Sequence, residues 1–395
     1  MPVIEEVLRV GVSGLGRGFM LMLPTLIAHP RVSLVAAADP RPEARARFAT
    51  QFGGRSYEAF RSLCDDRDVE VIYVASPHQF HAEQVIAAAG AGKHVLVEKP
   101  MALSIADCER MTAAARAAGV RLIVGPSHGF DAPVSLARRL IDSGDYGAVR
   151  MITALNFTDF VYRPRRPEEL DGSCGGGVVF SQAAHQIDVV RRLAGGRIRT
   201  VRAQVGDWDA ARRTEGAYTA FLTFDQGIVA SLTYSGYGFF DSDELCEWIG
   251  ETGYPKSPQT YGEARRRLAA LTESEAALKE TRTYGRASFE PEAPPPPFHE
   301  HFGFVVVSCE RADLRLLPHG VTVHGERERT LFPAPPSTLP RGAVIDALYE
   351  AVVNDLRPLH DGEWGTATMA ACLAIRQSSA EGREIALGGT EGARP

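Results

Sequence analysis

Residues 1–125 alternate between short apolar runs and longer segments in which apolar and charged residues share a helical period. The runs are VLRVGVS at 7–13, VSLVAAA at 32–38, VEVIYVAS at 69–76, HVLVE at 94–98 and VRLIVG at 120–125. Runs that are apolar at almost every position are typical of strands buried on both faces, and the segments between them are typical of covering helices. The alternation predicts an α/β fold whose first domain, residues 1–125, is a parallel sheet with helices on both faces.

After Gly125 the strands alternate polar and apolar residues, which is typical of an antiparallel sheet. We expect residues 126–395 to form an α+β domain with an open, largely antiparallel sheet and with a helix at about 179–194 crossing it. Residues 250–300 break this rhythm and predict an insertion, with one helix at about 262–280 and a stiff Pro-rich linker, PEAPPPP, at 291–297. The expected strands lie at 149–157, 201–208, 217–224, 227–235, 302–310, 312–318 and 320–325.

Charge and cysteine content narrow the class of partner. The chain has 43 Lys+Arg against 49 Asp+Glu, a formal net charge of −6, whereas nucleic-acid binders usually carry a basic excess. The N-terminus MPVIEEVLRV is acidic where a signal peptide is basic, and no apolar run approaches the ~20 residues of a membrane span. The six cysteines form no C-x-x-C pair, which is typical of reduced intracellular thiols. We therefore expect a cytoplasmic protein whose partner is a small molecule, not nucleic acid or membrane.

A glycine-rich turn follows the first predicted strand and opens the first predicted helix. Glycines let the backbone turn tightly and approach a pyrophosphate, whose charge the helix N-terminus attracts. An acid at the end of the second strand can accept hydrogen bonds from the adenosine ribose, which favours NAD; a nearby arginine leaves NADP possible. The alternative is a pair of turns in a protein that binds no nucleotide. The candidate cofactor residues here are Gly14, Gly16, Arg17, Gly18, Phe19, Asp39 and Arg41.

Polar residues also end the strands at 69–76 and 94–98. Because the carboxyl ends of parallel strands line the ligand crevice, we expect these residues to face the cofactor or the substrate. A lysine in that position can lower the pKa of a bound hydroxyl; otherwise Lys99 is a surface lysine in a turn. The residues concerned are Ser76, Pro77 and His78 after one strand, and Glu98 and Lys99 after the other.

These elements together resemble the Gfo/Idh/MocA family of nicotinamide-dependent oxidoreductases. The resemblance is carried by Gly14-x-Gly16, Asp39, Ser76-Pro-x-x-x-His81, Glu98-Lys99-Pro100, and Gly175-Gly176-Gly177 followed by His185-x-x-Asp188. It implies a Rossmann domain, a second domain whose open sheet forms a homo-oligomer (a dimer or tetramer), and hydride transfer between nicotinamide and a carbinol carbon. It also implies that Lys99 and His185 act near the reacting oxygen. Glu98 and His81 are further candidates for the cofactor site, although a structural histidine explains His78, His81 and His128 better one by one.

Within the family, several stretches are most similar to the phthalate 4,5-cis-dihydrodiol dehydrogenases, among them ASPHQFHAEQ at 75–84 and GGGVVFSQAAHQIDVVRRL at 175–193. The similarity implies oxidation of a carboxylated aromatic cis-dihydrodiol to a catechol. The chain departs from the family in having Ser181 where an aspartate often precedes the histidine, and His78 where asparagine is common. The missing carboxylate disfavours a sugar or inositol dehydrogenase, which remains the alternative on the same scaffold.

The expected chemistry assigns a base, an orienting acid and a carboxylate receptor. A neutral imidazole is a suitable base at physiological pH, so we assign proton removal to His185, with Ser181 and Asp188 on the same helical face. Guanidinium groups pair with carboxylates, which nominates the Pro-punctuated arginines for the substrate, although a solvated basic loop explains them equally well. We expect no catalytic metal, because His299 and His301 have no evident third ligand. The candidate substrate residues are His128, Arg163, Arg165, Arg166, Ser181 and Asp188.

Overall fold

The structure is a computed structural model that describes residues 6–260, 262–286, 295–336 and 339–388. The chain divides into two compact units. The first unit comprises Met1–Pro126, Glu273–Pro294 and Leu339–Met369, and the second comprises Ser127–Thr272, Pro295–Thr338 and Ala370–Pro395. The predicted boundary near residue 125 lies close to the first of these divisions. Two later segments nevertheless belong to the first unit, which differs from the expectation of one contiguous domain over 126–395.

The first unit is built on a six-stranded parallel sheet with the order β3-β2-β1-β4-β5-β6. Its strands β1, β4 and β5 are almost wholly buried, in agreement with their continuous apolar sequence. Its elements up to residue 124 are β1 (Leu8–Ser13), α1 (Arg17–Ala28), β2 (Val32–Ala38), α2 (Pro42–Phe52), β3 (Arg55–Tyr57), α3 (Phe60–Cys64), β4 (Val71–Val74), α4 (His81–Gly90), β5 (His94–Val97), α5 (Ile105–Ala117) and β6 (Leu122–Val124).

The remainder of the chain adds a nine-stranded sheet with the order β14-β13-β12-β11-β7-β10-β9-β8-β15. All of its pairs are antiparallel except β7 with β10. The elements are α6 (Ala132–Asp142), β7 (Val149–Phe157), α7 (Ala184–Ala194), β8 (Ile198–Gly206), β9 (Ala217–Phe224), β10 (Val229–Ser235), α8 (Glu263–Ala269), α9 (Glu275–Glu280), β11 (Phe304–Cys309), β12 (Ala312–Leu317), β13 (Gly320–Gly325), β14 (Arg329–Pro333), α10 (Gly342–Val352), α11 (Gly362–Glu381) and β15 (Ile385–Ala386). The predicted α/β class, with a parallel sheet and an open, largely antiparallel one, is confirmed.

Long-range polar contacts explain why residues far along the chain join the first unit. The Arg31 guanidinium pairs with Asp346 at 2.9 Å, and the backbone N–H of Tyr284 donates to the carbonyl of Leu15 at 3.2 Å. The N–H of Val124 donates to the carbonyl of His360 at 2.9 Å, beside the edge strand β6. Each contact joins positions more than 200 residues apart, so no local sequence pattern predicts it.

Three predicted elements take a different form. The helix expected at about 262–280 is two short helices, α8 and α9, because the chain turns at Ala270 and restarts at Ser274, whose hydroxyl accepts the Ala277 N–H. The helix expected at 179–194 begins with a π-helical turn, Val179–Ala183, ahead of α7. Most of the Pro-rich segment at 291–297 lies outside the described residues. Of the helices that are described, none is long and apolar enough to span a bilayer.

Candidate active site

The loops after β1, β4 and β5 meet at the carboxyl edge of the parallel sheet, where the strand order reverses between β1 and β4. Gly14 follows β1 with φ +90°, and a Cβ there would lie 2.9 Å from the Ser76 backbone. A Cβ at Gly18 would lie 3.2 Å from Oε1 of Glu98, whereas one at Gly16 would meet nothing within 4 Å. The structure thus brings three of the predicted cofactor loops together, with an open face at Gly16 ahead of α1. The fold fits a dinucleotide at this edge.

Glu98 and His78 are partly buried, and His81 fully buried, beside these loops. The Tyr73 hydroxyl donates to Oε1 of Glu98 at 2.7 Å, and burial raises the pKa of the Glu98 carboxyl despite the opposing charge of Lys99. Burial, and then the neighbouring His81 and Lys99, lower the pKa of His78 to about 3, so its imidazole is neutral at physiological pH. Both ring nitrogens of His81 lie against backbone carbonyls, at 2.9 Å from Ser76 and 3.0 Å from Pro100. His81 therefore ties the loops after β4 and β5 to each other.

The predicted ribose acid, Asp39, is buried and engaged by protein groups. Its Oδ1 accepts from the N–H and Nε of Arg41, both at 2.9 Å, and its Oδ2 accepts from the Leu15 N–H at 2.7 Å and from Nη2 of Arg41 at 2.9 Å. Phe19, expected in the cofactor site, is fully buried against the ring of Tyr284. Arg17 is exposed at the start of α1. Asp39 thus lies at the end of β2, as the sequence predicts, but both of its carboxylate oxygens already accept hydrogen bonds from Arg41.

Two histidines of the second unit lie side by side against an aromatic ring. The rings of His185 and His128 are 4.7 Å apart, and each lies 5.1 Å from the ring of Phe302. Nδ1 of His185 is 3.4 Å from the Ser127 hydroxyl, and Nδ1 of His128 is 2.7 Å from Oδ2 of Asp131. Burial lowers the pKa of His128, but the charge and hydrogen bond of Asp131 outweigh it and raise that pKa above its usual value. The pair can place a charged imidazole beside a second imidazole.

The residues expected to support His185 contact the backbone. Oδ2 of Asp188 accepts from the N–H of Gly129 at 3.0 Å, which ties α7 to the turn that carries His128. The Ser181 hydroxyl donates to the carbonyl of Gly177 at 2.5 Å. Ser181 lies in the π-helical turn and His185 in α7, so the regular α-helical spacing expected between them does not hold. Their roles toward the imidazole stay predictions.

The three arginines of the predicted substrate loop have different surroundings. Arg163 pairs with Asp159 at 2.8 Å and with Glu251 at 3.4 Å. Arg165 lies over the Phe160 ring at 3.5 Å, donates to the Phe160 carbonyl at 2.6 Å and is 3.9 Å from Glu169. In the part of the chain that the structure describes, no carboxylate lies within ion-pair distance of the Arg166 guanidinium. Arg166 is accordingly the arginine of this loop best able to receive a ligand carboxylate.

Glu251, Phe302 and Tyr234 are not among the site residues that the sequence predicts. Burial raises the pKa of Glu251, but the charges of Arg163 and then of His128 hold it below its usual value, so the group is a carboxylate. Asn156 donates to Oε1 of Glu251 at 3.2 Å. The Phe302 ring stacks on Tyr234 with centroids 6.1 Å apart. The only sequence signal for them is an acid and aromatics near strand ends, which is too common to single them out. Among the described residues, no group of acids, histidines and cysteines is arranged to hold a metal ion.

Two family models match the chain. Residues 8–126 match the oxidoreductase family with an NAD-binding Rossmann fold, Gfo/Idh/MocA, and residues 134–254 match the C-terminal domain of the same family. The chain belongs to the Gfo/Idh/MocA family. It is thus an NAD-dependent oxidoreductase, and the loops around Gly14, Ser76 and Glu98 belong to the segment that matches the Rossmann fold. The family resemblance expected from the motifs is confirmed.

Individual members of the Gfo/Idh/MocA family resemble this chain in sequence and in structure. It is 48% identical over 93% of its length, and 94% of the relative, to a 1-carboxy-3-chloro-3,4-dihydroxycyclohexa-1,5-diene dehydrogenase of Comamonas testosteroni. The crystal structure of a Bordetella bronchiseptica RB50 protein described as a dehydrogenase matches 96% of this chain and 100% of that one. The two chains are 40% identical in sequence, and the TM-score is 0.92. A levoglucosan dehydrogenase in complex with NADH and levoglucosan shares the fold, with a TM-score of 0.72 at 19% identity and 97% and 99% coverage.

Proposed function

We propose that the protein oxidises a carboxylated cyclohexadiene cis-diol, of which the phthalate 4,5-cis-dihydrodiol is one member, to the corresponding catechol with NAD. The observation that carries the proposal is the histidine pair of the second unit, His185 and His128. Both rings lie against Phe302, and His128 interacts electrostatically with Glu251, the carboxylate that pairs with Arg163. The Comamonas relative, which acts by its name on a carboxylated diol, supports the substrate class.

The reaction removes a hydride from one carbinol carbon and a proton from its hydroxyl, after which the hydroxy-enone tautomerises to the aromatic ring. The nicotinamide supplies, when bound, the acceptor for the hydride. We assign the hydroxyl proton to His185, since a neutral imidazole accepts a proton near physiological pH. Lys99 is assigned to hold the same oxygen and to stabilise its developing negative charge. Asp131 raises the pKa of His128 and so favours its charged form, which attracts an anionic ring substrate.

The surroundings of Arg163, Arg165 and Arg166, the three arginines of the predicted substrate loop, indicate how many carboxylates the substrate carries. Arg163 is neutralised by Asp159 and Glu251, and the guanidinium of Arg165 is stacked on Phe160. Arg166 is the member of the loop with no carboxylate partner among the described residues. One uncompensated guanidinium suits a substrate with one carboxylate more closely than a dicarboxylate, which would draw on a second cation such as His128.

The test is a panel of diols assayed for reduction of NAD in the purified enzyme. The panel contains a monocarboxylated cyclohexadiene cis-diol, its 3-chloro derivative, the phthalate 4,5-cis-dihydrodiol, the uncarboxylated parent diol, myo-inositol and glucose. We expect kcat/KM to be at least about 100-fold higher for the carboxylated diols than for the parent diol, because a charge-assisted pair is lost without the carboxylate. Higher kcat/KM with inositol or glucose would overturn the proposal in favour of a polyol dehydrogenase.

We also propose a homo-oligomer that forms through the exposed face of the nine-stranded sheet. Met151 of β7, Phe221 of β9 and Leu331 of β14 share that face by register and are 45%, 45% and 48% exposed. An apolar face of this kind favours a second copy of the chain as its partner. Light scattering should give a mass above one chain for the wild type and a lower mass for Phe221→Asp. All six cysteines are free thiols, which supports a cytoplasmic location that cell fractionation would test.

A further inference from the structure

A short segment of the first unit, residues 281–286, closes over the acid at the end of β2. We call it the strap. The Tyr284 ring is fully buried, packs edge-on against Phe19 at 5.3 Å and stacks on Phe52 at 6.4 Å. Its hydroxyl donates to Gln51 at 2.7 Å, and its N–H donates to the carbonyl of Leu15 in the glycine turn. These contacts fix the strap to α1, α2 and the cofactor loop at once.

The strap completes the set of acceptors around Arg41. Nε donates to Asp39, and Nη2 donates to Asp39 and to the carbonyl of Leu15 at 2.8 Å. Nη1 donates to the Thr283 hydroxyl at 2.7 Å and to the carbonyl of Tyr284 at 3.4 Å. A guanidinium has five N–H donors, so each of them has an acceptor here. The two acceptors of Nη1 both come from the strap.

Thr283 is suited to this role by its own hydrogen bonds. Its hydroxyl donates to the carbonyl of Glu280 at 2.7 Å, so its oxygen lone pairs are oriented to accept from Arg41. The side chain is 2% exposed, which leaves little room for another acceptor to replace it. The hydrogen bond to Thr283 therefore holds the Arg41 guanidinium against Asp39 and opposes its movement toward an additional anion.

We propose that the strap determines the choice between NAD and NADP, with Thr283 as the specificity-determining residue. An arginine close to the ribose acid would ordinarily be available to a 2′-phosphate, but here its donors are saturated by Asp39, Leu15 and the strap. Binding the 2′-phosphate requires Arg41 to leave Thr283 and Tyr284, and the cost of that loss falls on NADP alone. The inference depends on the NAD-binding fold and not on the identity of the oxidised substrate.

The experiment measures dissociation constants for NAD and NADP by calorimetry on the full chain, without any diol. The variants are Thr283→Val, which removes the acceptor at constant shape, and Thr283→Ser, which retains it. We expect Thr283→Val to lower the ratio of the NADP to the NAD dissociation constant about tenfold, because one hydrogen bond to a charged group no longer opposes release of Arg41. Thr283→Ser should keep the wild-type ratio. A failure of the diol assay would leave this result unaffected.

Two further variants separate the strap from a general loss of packing. Thr281→Val changes an exposed hydroxyl of the same segment that donates to the carbonyl of Leu278, and should leave the ratio unchanged. Gly285→Ala loosens the strap by another route, since its Cβ would lie 2.8 Å from the Ala44 backbone, and should lower the ratio. The gain in NADP affinity should disappear in Thr283→Val/Arg41→Ala. The proposal is overturned if Thr283→Val and Gly285→Ala, both folded by thermal melting, keep a ratio within twofold of wild type, or if the gain survives without Arg41.

Discussion

The two units engage their polar residues in opposite ways. At the carboxyl edge of the first unit, the side chains of Asp39, Arg41 and His81 are occupied by one another, by the Thr283 hydroxyl or by backbone groups. The open feature there is the backbone face at Gly16. In the second unit, titratable rings lie against each other, and one arginine of the loop, Arg166, has no carboxylate partner among the described residues. In the first unit the unobstructed feature is backbone, whereas in the second it is a set of titratable and cationic side chains.

The comparison shows that a charged residue near a ligand site is available to a ligand only if the fold has not already paired it. The same residue type, arginine, occurs at both places, and its sequence context nominates it for an anionic ligand in each. The structure compensates Arg41 with Asp39 and Arg163 with Asp159 and Glu251. A ligand that binds an arginine already paired must break that pair, which leaves the partner carboxylate without its cation.

The largest expected effect is in the second unit. His185→Ala should lower kcat for the diol by about 100- to 10,000-fold, because the proposed base is removed, and should leave the dissociation constant for NAD within about twofold. Steady-state kinetics and calorimetry measure the two quantities. The matched control is His319→Ala, which removes a partly exposed histidine of the same unit paired with Glu247. If the His185 variant retains half of the wild-type kcat, this residue is not the base.

The first unit should respond to a backbone change with no side chain involved. Gly14→Ala should lower the free energy of unfolding by about 2–4 kcal/mol, since φ is +90° and the new Cβ would lie 2.9 Å from the Ser76 backbone. Gly16→Ala should change it by less than about 1 kcal/mol, because φ is −86° and its Cβ meets nothing within 4 Å. Urea unfolding compares them. If both variants lose the same free energy of unfolding, the short distance between residue 14 and the backbone of Ser76 after β4 is not what requires glycine at position 14.

Substitution of two neighbouring arginines should affect different properties, namely substrate binding for Arg166 and stability for Arg163. Arg166→Ala should raise KM for a carboxylated diol about tenfold with kcat unchanged, because a charge-assisted pair with the substrate is lost. Arg163→Ala should lower the free energy of unfolding by about 1–2 kcal/mol, because it leaves the partly buried Glu251 without its cation. Kinetics and thermal melting on each variant test this. The opposite assignment, a KM effect for Arg163 with no loss of stability, would make Arg163 the substrate residue.

The smallest effect concerns the pH dependence of His128. Asp131→Asn should lower the pKa of His128, observed by NMR titration of the imidazole, because the charge that raises it is removed. A raised pKa stabilises the folded state below the unfolded value of about 6.5, and that contribution is lost as pH rises through the folded pKa. The stability difference between wild type and variant should therefore be largest in acid and should narrow toward alkaline pH. For Asp142→Asn, whose partner Arg138 does not titrate in this range, the difference should stay constant.

Much of the fold follows from the sequence because its signals are local. Continuous apolar runs identify the strands of the parallel sheet, and the glycine turn with Glu98-Lys99 locates the cofactor edge, because burial and turn geometry act on neighbouring residues. The local pattern also predicts one helix over 262–280, where the structure has α8 and α9. No local sequence signal assigns residues 273–286 and 339–369 to the first unit.

The sequence alone determined the α/β class, the position of the dinucleotide turn and the residues that mark the family. Only the tertiary structure decided which acceptors and counter-charges each arginine meets. Arg41 reaches Thr283 across 242 positions, and Arg163 reaches Glu251 across 88. Periodicity reports how each residue is buried relative to its neighbours, whereas a charge is neutralised by whichever group the fold brings to it, at any distance along the chain.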